Sequence, residues 1–304
     1  SGTIKRRFIF IFADTMIRLS LVISTYNRAD RLLVALQSLV HQSADATEWE
    51  CIVVDNNSTD DTRRIFEGFA SCYPTLNLRM VTETAQGLSH ARNRGLAEST
   101  GHIVAIIDDD ERVNDRFVEA YAGFFDRHPE AVAAGGRVVP EYPSGRPGWL
   151  SRYTEVPLAN PTDWGDRERL FPHGHIPAGG NMAFRRDTLL RYGGFDTSLG
   201  HVAGRLTGGE ESDLFERMAA DGIQFHYVPD AVIWHIIGAE KLTDDYFGRL
   251  SFNTGVSQRR RAVLHDRLTA LYVGEAAKWC ATAVLAAFYL FTLRPQKGLK
   301  LSLI

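Results

Sequence analysis

The strongest constraint on the fold is a repeated pattern in which a buried strand is followed by a helix. The apolar runs are LSLVIST from Leu19, ECIVVD ending at Asp55, LRMVTE from Leu78 and HIVAII leading to Asp108. Helical segments are predicted between them, at 30–42, from about 60 to Phe69 and at 88–98. Continuous apolar strands that alternate with helices are typical of a doubly wound, mostly parallel sheet covered on both faces. The sequence therefore predicts an α/β fold.

The composition limits the classes of protein to consider. The 304 residues are 44% hydrophobic and 23% charged, which is enough apolar material for a full core. The net charge of −3 shows no basic excess, so nucleic acid is not expected as the main partner. The three cysteines are widely spaced and lack a CxxC pair. We therefore expect no disulfide framework, and a reducing cytosol as the simplest location.

Acidic residues follow the fourth strand, where such sheets bind ligands beyond the carboxyl ends of their strands. Asp108, Asp109, Asp110 and Glu111 are consecutive. Four adjacent carboxylates repel one another, and oxygen ligands of this kind suit Mn²⁺ or Mg²⁺. A divalent ion there could neutralise a diphosphate leaving group. The alternative is a solvated acidic turn that caps the next helix.

A second acidic pair, Glu210 and Glu211, opens a predicted helix after two glycines. One of these glutamates could be a general base that removes a proton from an attacking hydroxyl. The alternative is that they only complement the dipole of the helix. Asp55 could likewise hold a nucleoside or belong to an ordinary N-cap cluster. His235, which ends a predicted strand at 224–235, could be purely structural.

The rest of the chain divides into three parts. Residues 1–17 are predicted to be an N-terminal arm or an added segment, 18–240 the main domain, and 241–304 a C-terminal helical region. A long connection at 140–177 is expected to cross the site. The stretch Trp279–Leu293 carries no charge and has basic residues on both sides. It could be a docked amphipathic helix, a membrane-surface helix or a spanning helix.

Seven strings in order resemble the family-2 glycosyltransferases, of bacterial type, along roughly 19–235. They are VISTYNR, VVDNNSTDDT, GLSHARNRG, IIDDDE, GGNMAFRR with GGFD, GGEESDLFERM and the closing WH. The resemblance implies a GT-A fold and an inverting, metal-dependent sugar transfer from a nucleotide sugar, most commonly a UDP-sugar. It also implies a glycan or lipid-linked acceptor.

The resemblance also assigns roles to residues. It implies that Thr25 and Asp55 hold the nucleoside, with Tyr26 and Arg28 in the same nucleotide-binding set. Arg92 is expected near the nucleotide. Asp108 matches the acid that faces the ribose, Asp109 lies between the two acids of the DxD motif, and Asp110 matches the metal ligand. His235 completes the metal shell in some members, and Glu211 matches the catalytic base.

Two departures from the family pattern are informative. The family usually has Glu-Asp where this chain has Glu210-Glu211, so the base lies on a longer side chain, or Glu210 is the base. No tryptophan follows Gln258-Arg259-Arg260-Arg261, which favours a single transfer over polymer synthesis. We considered a nucleotidyltransferase, but no glycine-rich triphosphate loop follows the first strand. A silent nucleotide-binding module is disfavoured by the presence of both glutamates, and a pure membrane scaffold would leave the acidic clusters unexplained. A cytoplasmic protein, peripheral at the inner face of the inner membrane, would fit a lipid-linked acceptor.

Overall fold

The structure is a computed structural model that describes residues 16–200 and 208–302. Residues 1–15 of the predicted N-terminal arm lie outside the described residues. The strands are β1 Leu19–Thr25, β2 Trp49–Asp55, β3 Leu78–Thr82, β4 Ile103–Asp108, β5 Glu111–Val113, β6 Ala133–Glu141, β7 Arg169–Leu170, β8 Met182–Arg185 and β9 His226–Ile236. The helices are α1 Ala29–Gln37, α2 Thr62–Cys72, α3 Leu88–Glu98, α4 Phe117–Arg127, α5 Arg152–Ala159, α6 Arg186–Arg191, α7 Glu210–Ala220, α8 Asp244–Leu264, α9 Leu268–Phe291 and α10 Pro295–Leu301.

The first four strands form the parallel half of the sheet, in the order β3-β2-β1-β4. Leu19 pairs with Trp49 on one side and with Ile103 on the other. Every residue of β1 and β2 is buried, because helices cover both faces. The four strands and the helices between them confirm the doubly wound pattern predicted from the sequence.

The second half of the sheet is mixed, and it continues as β8-β6-β9-β5. The short strand β8 is antiparallel to both β4 and β6, whereas β6 and β9 form a long parallel ladder. β5 returns antiparallel to the end of β9. Because the longest ladders are parallel, the sheet is mostly parallel as expected, although the sequence did not indicate where the antiparallel strands would be inserted.

The core lies in two layers, one on each face of the sheet. Leu21 and Ile23 of β1 point into one layer and Val22 into the other, as the twofold period of a strand requires. The first layer is packed by α1, α2 and α4, and the second by α3 and α7. These two layers fix the carboxyl ends of β1, β2 and β4 side by side at one edge.

The C-terminal region is helical, as predicted. A 3₁₀ turn at Ala239–Leu242 leads into α8, and α9 packs on α8 and α10. No residue of α9 is buried, and the choice between a docked helix and a membrane-surface helix stays a prediction. Within 16–200 and 208–302, we found no helix with the length and apolarity that crossing a membrane requires.

Candidate active site

A cavity of about 450 Å³ opens at the carboxyl ends of β1 and β4 and is bordered by the start of α7. This volume is in the range of small-molecule sites. Ten of the side chains selected from the sequence line it, namely Thr25, Tyr26, Arg28, Arg92, Asp108, Asp109, Asp110, Glu210, Glu211 and His235. Residues far apart in the chain therefore converge on one site.

The acidic turn after β4 brings two candidate metal ligands together. β4 ends at Asp108. The turn consists of Asp109 and Asp110, and Glu111 begins β5 opposite His235. The carbonyl of Asp110 accepts a hydrogen bond from the amide of Ile236 at 2.9 Å. Because this ladder pins the turn to the end of β9, Asp110 Oδ1 lies 3.7 Å from His235 Nε2.

Asp109 is held inside the protein by two partners from the loop after β1. Its carboxylate accepts hydrogen bonds from Thr25 Oγ1 at 2.8 Å and from Arg28 Nη1 at 3.0 Å. Burial raises the pKa of Asp109 to about 6, and Asp110 adds to the rise while Arg28 opposes it. The hydroxyl of Thr25 and the carboxylate of Asp109, both expected at the nucleotide, thus bind each other in this structure.

Asp110 is buried among cations. Its Oδ2 accepts hydrogen bonds from Lys241 Nζ at 2.6 Å and from Arg28 Nη1 at 3.1 Å. Burial alone would raise the pKa of Asp110, but Lys241, His235 and Arg28 lower it below its usual value. Asp110 is therefore an ionised carboxylate at neutral pH, as a metal ligand or cation partner must be.

The donor set around Asp110 was tested for its fit to a divalent ion. His235 Nδ1 lies 3.3 Å from the carbonyl oxygen of Ala159, which can only accept, so this contact places the proton on Nδ1. The lone pair of Nε2 then faces Asp110. Across the described ranges, no three His, Cys, Asp or Glu side chains converge as a ready set of ligands. Asp110 and His235 fit a site in which phosphate oxygens and water supply the other ligands, as Mg²⁺ sites often do.

Arg92 on α3 is a buried bridge rather than a free cation. It is 2% exposed, and its guanidinium donates to Asp108 Oδ1 at 2.9 Å, to Glu210 Oε1 at 2.8 Å and to the carbonyl of Gly179 at 3.1 Å. The bridge joins the end of β4, the start of α7 and the loop before β8. Its planar fork of donors is suited to several acceptors at once.

Glu210 and Glu211 begin α7 but differ in environment. Gly209, the N-cap, has a φ of 102°, a conformation that favours glycine. Glu210 is 2% exposed and bonded to Arg92, and burial raises its pKa to about 8, with a further rise from Glu211. Glu211 is only partly buried, and its side chain packs beside Gly179 in the cavity. Of the pair, Glu211 is the one that a substrate can reach more readily.

Asp55 is the one selected residue outside the lining of this cavity. It ends β2 beside Thr25, is 4% exposed and accepts a hydrogen bond from the amide of Ser58 at 2.9 Å. Arg63 Nη2 lies 3.8 Å from its other oxygen. These contacts stabilise the loop before α2, whose N-cap is Asp61 and not Asp55. The role of Asp55 toward a nucleoside stays a prediction.

Several lining residues belong to no motif of the sequence. Lys241, Tyr246 and Arg249 belong to the C-terminal region, and Pro157 to Asn160 belong to α5 and its end. The boundary predicted at 240 falls inside the 3₁₀ turn, so the main domain and the C-terminal region share the cavity. The long connection at 140–177 does reach the site, as expected. No local motif marks Lys241.

This geometry is that of an enzyme of known class, a glycosyltransferase that acts on nucleotide sugars. The family model for glycosyl transferase family 2 matches residues 20–193, more than half of the chain. The chain therefore belongs to that family, which confirms the resemblance in the sequence. Glu210, Glu211, His235 and Lys241 lie beyond the matched segment.

Three known proteins illustrate the likeness. The glucosyl-dolichyl phosphate glucuronosyltransferase of Haloferax volcanii is 25% identical over 254 residues, 82% of this chain and 79% of that protein. The mannosyltransferase PcManGT from Pyrobaculum calidifontis, solved in complex with GDP-Man and Mn²⁺, matches with a TM-score of 0.59 and 21% identity, over 95% of this chain and 87% of the other. Staphylococcus aureus TarS 1–349 in complex with UDP matches with a TM-score of 0.56 and 18% identity, over 83% and 71% of the two chains. The structural likenesses show the GT-A fold.

Proposed function

We propose that this protein transfers one sugar per reaction from a UDP-sugar to a glycan or lipid-linked acceptor, with inversion at the anomeric carbon. One observation carries the proposal: Glu211 lines the same cavity as the strand-end acids Asp108 and Asp110. A base on α7 and a donor-binding turn after β4 are the two halves that such a transfer needs. The absence of a tryptophan after Arg261 favours a single transfer.

The proposed chemistry needs no covalent sugar–enzyme intermediate. Glu211 removes the proton of the acceptor hydroxyl while the hydroxyl oxygen attacks the anomeric carbon. The bond between that carbon and the diphosphate oxygen breaks. The nucleoside diphosphate leaves from the opposite face, which inverts the configuration. Arg92 holds Glu210 beside the base, and this contact fixes the start of α7 relative to β4.

Asp110 and His235 are the residues that would hold Mn²⁺ or Mg²⁺. A bound ion would supply charge neutralisation to the departing diphosphate. Asp108, whose side chain is 34% exposed, is the acid best placed to accept from the ribose hydroxyls. The Mn²⁺ in PcManGT supports a divalent cofactor for this fold.

The choice of UDP as the first donor nucleotide to test rests on solved relatives. TarS binds UDP, whereas PcManGT binds GDP-Man, so UDP is the donor nucleotide that we test first. Tyr26 lines the cavity and Asp55 ends the neighbouring strand. We assign the nucleoside to this side, with Thr25, Tyr26, Arg28 and Asp55 around it.

A lipid-linked acceptor would bring the protein to a membrane surface. We define the α9 surface as Val284, Phe288 and Phe291, which lie on one face of the helix, with the basic residues Arg294 and Lys297. The apolar side chains of this set are between 58% and 84% exposed. Apolar contact flanked by positive charge is suited to an anionic cytoplasmic leaflet. The named activity of the Haloferax volcanii relative, on glucosyl-dolichyl phosphate, supports this class of acceptor.

The experiment that tests the function is hydrolysis and transfer from a panel of UDP-, GDP- and dTDP-sugars. Each donor is assayed with Mn²⁺, with Mg²⁺ and with excess EDTA, and the released nucleotide is measured. We expect release of UDP that requires a divalent ion and that is largely lost in Asp110→Asn. Asp61→Asn, at an exposed residue before α2, is the matched control. Release of pyrophosphate instead of UDP, or full activity in EDTA, would contradict the proposal.

A further inference from the structure

The ammonium group of Lys241 occupies the position between the two candidate metal ligands. Its Nζ lies 2.6 Å from Asp110 Oδ2 and 3.4 Å from His235 Nε2. The side chain of Lys241 is 12% exposed, that of Asp110 6% and that of His235 17%. All three therefore form one enclosed contact at the wall of the cavity.

The proton on His235 Nδ1 makes this contact chemically specific. Because Nδ1 faces the carbonyl of Ala159, Nε2 presents a lone pair, and a carboxylate oxygen stands beside it. An ammonium has three donors and no acceptor, so it binds the carboxylate and the imidazole lone pair as a metal ion would. Lys241 thus fills with its own charge the place that the donor set offers to a metal ion.

We propose that Lys241 is a tethered cation that closes the metal position of the empty enzyme and binds the diphosphate of the donor once a divalent ion enters. A divalent ion held by Asp110 and His235 would compete with Lys241, whose Nζ lies 2.6 Å from the carboxylate and 3.4 Å from the imidazole nitrogen. Two cations on one carboxylate also repel each other. The phosphate oxygens of the donor provide Lys241 with new acceptors in the same cavity, at charge-assisted strength.

This arrangement couples metal and nucleotide binding. A divalent ion alone must displace Lys241 without compensation, and it therefore binds weakly. When the nucleoside diphosphate binds as well, its phosphate oxygens accept from the displaced Lys241. The ion and the nucleotide therefore strengthen each other's binding by the same factor. The inference rests on the proposed nucleotide-sugar site, and it adds a residue that no motif of the sequence indicated.

The test measures two affinities, for Mn²⁺ and for UDP, which are expected to change in opposite directions when Lys241 is replaced. Titration calorimetry is performed with Mn²⁺ alone, and with UDP at saturating Mn²⁺, on the wild-type protein, Lys241→Met and Lys241→Arg. We expect Lys241→Met to bind Mn²⁺ alone about tenfold or more tightly than the wild type. We expect it to bind UDP about tenfold more weakly. Lys241→Arg, which keeps the charge, should retain the weak Mn²⁺ binding of the wild type.

Lys278→Met is the matched control, since this lysine is 63% exposed on α9, outside the cavity lining. The melting temperature is a second readout that can be used even if Lys241→Met is less stable than the wild type. Mn²⁺ alone should raise the melting temperature of Lys241→Met more than that of the wild type. Equal Mn²⁺ affinities of the wild type and Lys241→Met, weakening of both ligands in Lys241→Met, or a Lys241→Arg variant that behaves like Lys241→Met would each overturn the inference while leaving the function intact. A wild-type protein that binds no nucleoside diphosphate would overturn both.

Discussion

Arg92 donates a hydrogen bond to Glu210, with Nη1 2.8 Å from Oε1, and both side chains are 2% exposed. The same guanidinium binds Asp108, so one side chain joins the acidic turn after β4 to the start of α7. The proposed base, Glu211, follows Glu210 directly. The position of the proposed base relative to the acidic turn is therefore set by a buried contact.

The first prediction concerns the base. Glu211→Gln should keep UDP affinity but lower the rate of transfer by roughly 10²–10⁴-fold, because a positioned proton acceptor is lost. Glu210→Gln should reduce transfer less, since its side chain is turned toward Arg92. Transfer kinetics and UDP calorimetry are the measurements, with Glu216→Gln on the same helix as control. If the two variants exchanged their effects, Glu210 would be the base.

The second prediction concerns stability. Arg92→Met should lower the free energy of unfolding by about 3 kcal/mol, because Glu210, Asp108 and the carbonyl of Gly179 lose their shared donor. Arg94→Met on the same helix is the control, since Arg94 is 41% exposed and its pair with Glu98 should contribute about 0–1 kcal/mol. Urea denaturation measures both. Similar losses in the two variants would show that the buried bridge is not a major stabilising contact.

The third prediction is a pH dependence of stability. Burial raises the pKa of Glu210 from 4.5 to about 8, so the folded protein holds this proton more tightly than the unfolded chain. The resulting stability is fully present below about pH 4.5 and is lost as pH rises through about 8. The glutamine of Glu210→Gln stays neutral at every pH in this range. The stability of the variant relative to the wild type should therefore increase between pH 5 and pH 9, by roughly 1 kcal/mol or more.

Thermal unfolding across this pH range measures the effect. The comparison uses the difference between variant and wild type, because burial also raises the pKa values of Asp109 and Glu111, and these two groups titrate in both proteins. Glu67→Gln, an exposed site on α2, is the control whose difference should stay constant. A Glu210→Gln difference that is equally constant would argue against the raised pKa.

The fourth prediction concerns the α9 surface. Replacement of both Phe288 and Phe291 by serine should weaken binding to phosphatidylglycerol vesicles by about tenfold or more, because two exposed apolar side chains, 58% and 84% accessible, no longer enter the bilayer interface. Hydrolysis of the donor should be unchanged. Leu190→Ser, at an exposed apolar residue on α6, is the control. Wild-type protein that ignores anionic vesicles would remove the membrane from the proposal.

The fold and most of the site could be predicted from sequence because their determinants are local. Apolar runs such as Leu19–Thr25 encode burial on both faces, and parallel strands place their carboxyl ends at one edge. This rule alone brings Asp109 and Asp110 to the end of β1, where Thr25 and Arg28 lie. The period of hydrophobicity and the position of acids after strands are properties of neighbouring residues, so they can be predicted without the fold.

Only the tertiary structure decided which side chains neutralise the buried charges. Lys241 is 131 positions from Asp110 in the chain, and Arg92 is 118 positions from Glu210. These contacts depend on β5 pairing with the end of β9 and on α7 packing against the second core layer. A lone lysine or arginine in a sequence is usually solvated. Its partner is set by how distant elements cross, because a buried carboxylate takes whichever cation the packed backbone brings within reach.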